Sequence, residues 1–109
     1  MKKVIALVAL MGLATGCAMT LPLKGQTENG DETFTGKATG YMDGGGTLQL
    51  TSSKGMTCNG NFVYVTNRNG EGTFTCNNGQ SGSFTFVSTG TRGTGTGSIG
   101  GRRFTFTFG

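Results

Sequence analysis

Arg103-Phe104-Thr105-Phe106-Thr107-Phe108, near the end of the chain, alternates a benzyl group with a hydroxyl at every step. Successive side chains of a strand point to opposite faces, so this stretch puts rings on one face and threonines on the other. Two earlier segments follow the same formula: Gly72-Thr73-Phe74-Thr75-Cys76 and Gly82-Ser83-Phe84-Thr85-Phe86. Their uneven spacing excludes a true repeat array. Further out, Leu48, Leu50, Met56, Cys58, Phe62 and Tyr64 fall on even numbers like the phenylalanines, with Gln49 and Thr57 between them. Thr suits the wet side of a sheet and Phe the packed side.

Glycine supplies 22 of the 109 residues. No strict every-third spacing exists, so a collagen-like chain is excluded, and the sustained alternation argues against disorder. Beyond the N-terminal segment no apolar stripe recurs at three and four, so no helix is predicted. The reading is an all-β domain with strands near 32–42, 46–53, 56–67, 72–78, 82–89, 94–99 and 102–108. Asp43-Gly44-Gly45-Gly46, Ser53-Lys54-Gly55, Asn69-Gly70, Asn77-Asn78-Gly79 and Gly100-Gly101 supply the turns between them. Short strands joined in chain order predict a small antiparallel meander closing into a barrel, roll or sandwich. Glycines inside strands, as at Gly93, Gly95 and Gly97, mark coiling and close approach of bulky neighbours.

Parity tests one turn. A two-residue turn at Asn69-Gly70 pairs odd with even numbers and sends Phe62 and Phe74 to opposite faces. A longer loop or a bulge is therefore expected there.

The first residues carry a different message. Lys2 and Lys3 precede an apolar run, Val4 to Met11, and the small residues Ala14-Thr15-Gly16 lead into Cys17. This is the pattern of an export signal, and its apolar run is shorter than the roughly 20 residues of a permanent spanning helix. Ala14-Thr15-Gly16-Cys17 resembles the lipobox of bacterial lipoproteins, although Ala14 stands where the family most often has Leu. The resemblance implies removal of residues 1–16 and attachment of diacylglycerol, together with a further fatty acid such as palmitate, at Cys17. Several acyl chains on one residue make a firm anchor. Ala18 and Met19 lack the aspartate that holds enteric lipoproteins in the inner membrane, so the resemblance implies the outer membrane, facing the periplasm. The tail from Gly95 to Gly109 also resembles the endings of uncharacterised Gly/Thr/Phe-rich bacterial lipoproteins, a likeness that brings no activity with it.

Processing leaves 93 residues, enough for one small domain. Residues 17–31, which include the only proline and few apolar residues, read as a lipidated N-terminus and flexible tether, with 32–109 as the β domain. At full extension, such a tether reaches about 45–50 Å. Leu21 and Leu23 also fit the start of a first strand. With Cys17 acylated in an oxidising compartment, Cys58 and Cys76 are the natural disulfide pair. In a plain 56–67/72–78 hairpin, however, Cys76 falls opposite Phe62 or Tyr64. A bridge then needs Gly60 to redirect the strand, or strands that meet differently, and the alternative is two buried free thiols.

Losing Lys2 and Lys3 takes nine basic residues to seven against five acidic, a net +2. Apart from Arg102-Arg103 the basic residues are scattered, which argues against a nucleic-acid partner. The chain has no histidine, hence no Ser-His or Cys-His pair and no zinc-site pattern. Its acids fall in tether or turn positions. Gly93-Thr94-Gly95-Thr96-Gly97 lacks both the following helix and the lysine of a phosphate loop. We therefore expect no enzyme, cofactor or metal. The expected function is a non-catalytic envelope binding module for a protein or glycan, with inhibition of a cell-wall lytic enzyme as one form. Tyr41, Arg68, Arg92 and Arg102 are its candidate contact residues, because Tyr and Arg are common interface anchors. The alternative is a structural, self-associating envelope protein joined through exposed edges such as 102–108.

Overall fold

The computed structural model describes residues 18–109, so the signal segment and Cys17 lie outside the described residues. Eight antiparallel strands run in chain order and close on themselves: β1 (Met19–Thr27), β2 (Thr33–Gly40), β3 (Gly45–Ser52), β4 (Thr57–Tyr64), β5 (Asn69–Cys76), β6 (Ser81–Thr89), β7 (Arg92–Ile99) and β8 (Arg102–Phe108). The all-β expectation holds, and among barrel, roll and sandwich the chain forms the barrel.

The tether does not exist as predicted. Residues 19–27 form β1, which pairs with β2 and, from Leu23 to Thr27, with β8. Its inward positions are Leu21, Leu23, Gly25 and Thr27. Only two of these are large and apolar, which is why the alternation looked too weak for a strand. Pro22 costs no bond to β2. The Thr27 N–H to Glu32 carbonyl bond makes the odd residues of β1 the ones that bond to β2, so Pro22 turns its nitrogen toward β8. There β8 has ended at Phe108, and the Gly109 N–H donates to the Pro22 carbonyl (3.0 Å). Closure also removes the free edge expected at 102–108, since β8 pairs on both sides.

Turn length sets which residues face inward. The β2–β3, β3–β4, β4–β5 and β5–β6 connections each skip three residues between hydrogen-bonded partners, which preserves even parity through β2 to β6. Gly44, Gly55 and Gly79 close three of these turns with φ between +85° and +91°, a conformation glycine enters without a Cβ clash. The turns at Gly90-Thr91 and Gly100-Gly101 skip only two residues, so β7 alone among β2 to β8 faces inward through odd numbers: Gly93, Gly95, Gly97 and Ile99.

The β4–β5 turn answers the parity test. Its loop is Thr66-Asn67-Arg68, bracketed by the Val65 N–H to Asn69 carbonyl bond (2.7 Å), while Asn69-Gly70 already belongs to β5. The pairing centre therefore lies at Asn67, ahead of the Asn-Gly dipeptide, and Cys58 falls opposite Cys76. The Asn77 N–H to Thr57 carbonyl bond makes Cys58–Cys76 a non-hydrogen-bonded pair, in which side chains approach most closely. The two form a disulfide, without any break of the strand at Gly60.

Inside, rings lie over glycines. Phe62 pairs with Gly46 and Gly72, Phe74 with Gly60 and Gly82, and Phe106 with Gly25 and Gly95. A Cβ added at Gly82 would lie 2.5 Å from Phe74 Cζ, and one at Gly97 would lie 2.6 Å from Phe104 Cζ. The glycines thus leave room for the rings, which in turn cover bare backbone. Edge-on contacts link the stack, as between Phe84 and Phe106 (5.7 Å) and between Phe62 and Phe86 (5.5 Å). Such pairs contribute about 0.5–1.5 kcal/mol each beyond burial.

Candidate functional site

The two ends of the barrel differ. At the base, Met56, Ile99, Thr27, Ser52 and Glu32 are buried and plug the interior. Glu32 is 3% exposed and meets the Arg102 guanidinium at 3.0 Å. Burial pushes its carboxyl up, but hydrogen bonds from Ser52 and Arg102 and the charges of Arg102 and Lys54 outweigh that and hold it below its ordinary value. Thr27 donates to Asp31 (2.7 Å), which first among several causes lowers the Asp31 carboxyl. Arg102, expected to contact a partner, is thus engaged in an internal ion pair at the closed end.

The other end is open. It is formed by the start of β1, residues 41–44, 65–68 and 90–91, and Gly109. Side chains run short there: Ala38 and Gly40 face inward at the end of β2, and Gly46 and Gly93 at the starts of β3 and β7. The result is a mouth of about 250 Å³ whose rim includes Met19, Leu21, Tyr41, Met42, Tyr64 and Phe108, with Phe62, Phe86 and Phe106 toward its floor. Deeper, a gap of only about 20 Å³ remains between Leu23, Leu48, Phe74 and Phe104. Such a gap is near the size of one water and is lined by apolar groups, so it stays dry.

Polar groups in the mouth are sparse. The Tyr64 hydroxyl donates to Ser88 Oγ (3.2 Å), and the Ser88 N–H donates to the Arg68 carbonyl (2.7 Å). Tyr64 also packs edge-on against Phe86 at 5.2 Å. This arrangement can take up an apolar or aromatic group and offer it one hydroxyl pair. Among the described residues no cluster of three or more metal-ligating side chains converges.

Of the predicted contact residues, Tyr41, Arg68 and Arg92 lie on three separate segments of the open end, while Arg102 lies at the other. The sequence reading missed Met19, Leu21, Met42, Tyr64 and Phe108 as site residues. For β1 the signal was present as Met19-x-Leu21-x-Leu23, a short alternation of odd parity. For the others no local signal existed, because the mouth is defined by where the strands end relative to one another.

No protein-family model matches the chain, and no curated protein matches it. Solved structures do. A redesigned β barrel, mFAP1, bound to DFHBI is similar with a TM-score of 0.69 at 18% identity, over 87% of this chain and 95% of that one. EF1p2_mFAP2b bound to DFHBI gives 0.67 at 14% identity, over 82% and 89%. A de novo designed fluorescence-activating β barrel gives 0.64 at 13% identity, over 82% and 88%. At these identities the likeness is one of fold: an eight-stranded barrel.

Proposed function

We propose that this chain is an exported, lipid-anchored, non-catalytic binding module of the bacterial envelope, and that its barrel mouth receives an acyl-chain end or an aromatic group. One observation carries the reading: an open, apolar, aromatic-floored mouth on a barrel plugged at its other end. Eight-stranded barrels have interiors that either fill with side chains or hold one small ligand. At about 250 Å³ the mouth is smaller than the roughly 300–1,000 Å³ of pockets that enclose a drug-sized molecule, so it suits part of a ligand. Two of the designed barrels with this fold are bound to DFHBI, which is consistent with a small-molecule site in the architecture.

Inhibition of a lytic enzyme fits less well, because connections of two to five residues offer little to insert into a cleft. Self-association through 102–108 fits less well, since β8 is paired on both sides. The barrel closes and the disulfide forms within residues 19–108 of the described chain, so residues 18–109 serve as the unit for the test. Titration with an environment-sensitive aromatic dye and with medium-chain fatty acids should show saturable one-to-one binding. Ala38→Trp, which places a large ring at a half-buried inward position, should abolish it while the unfolding transition persists. Non-saturable binding, or binding indifferent to Ala38→Trp, refutes the mouth as the site.

A further inference from the structure

The mouth, the start of β1 and the exposed apolar side chains all lie at the same end. Because β1 begins at Met19, only Ala18 separates it from Cys17. Two residues reach at most about 7 Å, comparable to one headgroup layer, which is about 5–8 Å thick by the difference between whole-bilayer and hydrocarbon dimensions. The predicted tether would have lifted the domain clear of the surface. With β1 inside the barrel, an anchor at Cys17 holds the rim against the interface.

The side chains agree with that placement. Met19, Tyr41, Met42, Val63, Val65 and Val87 are the large apolar residues exposed on the barrel, and all lie at the mouth or on the outer wall within a few residues of it. Met42, at 82% exposure, and Val65, at 65%, project from two different rim loops. Arg68 and Arg92 stand on the same rim, with no carboxylate within 4.0 Å among the described residues. Asp43, also at this end, accepts from the Gly45 N–H within its own turn. At the opposite end Glu28, Asp31 and Glu32 are each paired with Arg103, Lys54 or Arg102, so the basic side chains there are already engaged by carboxylates. Below the rim the outer wall is largely hydroxyl-bearing, with Thr94, Thr96, Thr105 and Thr107 facing out where a spanning barrel shows an apolar band. The barrel therefore fits on a bilayer and not through one.

We infer that the barrel docks mouth-down on an anionic membrane and that the ligand of the mouth is the acyl chain of a membrane lipid. This rests on the lipid-anchored reading above. Met42 and Val65 enter the headgroup region, Arg68 and Arg92 meet lipid phosphates, and a chain end reaches Phe86 and Phe106 without crossing water.

The chain has no tryptophan, so single reporters are clean. The mature lipidated protein, carrying Met42→Trp at the mouth or Lys54→Trp at the base, is placed in phosphatidylglycerol/phosphatidylcholine vesicles with brominated acyl chains. Val65→Trp serves as a second mouth reporter should Met42→Trp fail to fold. The mouth reporters should shift to the blue and lose most of their emission, the base reporter should do neither, and Arg68→Glu with Arg92→Glu should restore mouth emission. If the protein floats with vesicles and takes up palmitate at Cys17, yet mouth and base reporters behave alike, docking is overturned while the anchor stands. A blue shift without bromine quenching means that a second copy covers the mouth, and it too overturns docking. A protein that neither floats nor takes up lipid removes the anchor and the docking together.

Discussion

Gly95→Ala isolates the packing rule on which the barrel depends. Gly95 lies at the centre of β7, facing inward between Phe86 of β6 and Phe106 of β8. Its backbone is not in the left-handed region, so alanine adopts the same conformation and restricts the unfolded chain, a gain of about 0.4–1 kcal/mol where nothing else changes. Here much else changes. The added Cβ would overlap Phe106 Cζ and lie 2.6 Å from both Phe106 Cε1 and the Thr85 carbonyl oxygen. Rings and strands must part, and overpacking of this kind costs about 1–3 kcal/mol. For a domain of this size a net loss near 2 kcal/mol lowers Tm by about 8–16 °C. Thermal and urea unfolding followed by circular dichroism, with the disulfide intact, measures it. Phe106→Leu removes the ring atoms above the glycine, so the double variant should be less destabilised than the two single losses combined, by at least about 1 kcal/mol. Additivity within about 0.5 kcal/mol, or a Gly95→Ala protein as stable as the parent, refutes the ring-over-glycine account.

Replacing Cys58 and Cys76 together by alanine should lower stability by about 3 kcal/mol, read from the urea midpoint, since their bridge closes a loop of 18 residues. Glu32 and Asp31 are both held below their ordinary values of 4.5 and 3.8, so their contribution is full above those values and is lost as pH falls through the lower folded ones. Glu32→Gln should flatten the acid limb below about pH 4.5 in a stability-against-pH profile, and an unchanged limb refutes this. Arg102→Met alone strands a buried carboxylate and should cost about 2 kcal/mol, whereas Arg102→Met with Glu32→Gln should recover much of the loss. Cys17→Ser should abolish incorporation of a palmitate analogue in cells, and continued labelling would contradict acylation at that residue.

The Phe/Thr alternation made the sheet legible because it is local: two residues decide which way the third points. The glycine turns were legible for the same reason, since Gly44, Gly55 and Gly79 sit where positive φ is required. Pairings between distant segments were not legible. The Cys58–Cys76 bridge was correctly named but looked geometrically awkward, because a glycine-free loop at 66–68, and not Asn69-Gly70, sets the register of β4 against β5.

Tertiary structure alone decided three things. It made residues 19–27 a strand, because β1 has few large apolar groups of its own and is held by β2 and by β8 at the far end of the chain. It matched each ring to a glycine, since which residues lie opposite depends on loop lengths summed along the meander. It also left one end open, because Ala38, Gly40, Gly46 and Gly93 meet at the same height only after closure. The sequence by itself determined the alternation of side chains within each Phe/Thr strand, through the two-residue period of the backbone, while turn lengths decided which parity faces in. What fills or empties the space they enclose was fixed by long-range register, which no local pattern encodes.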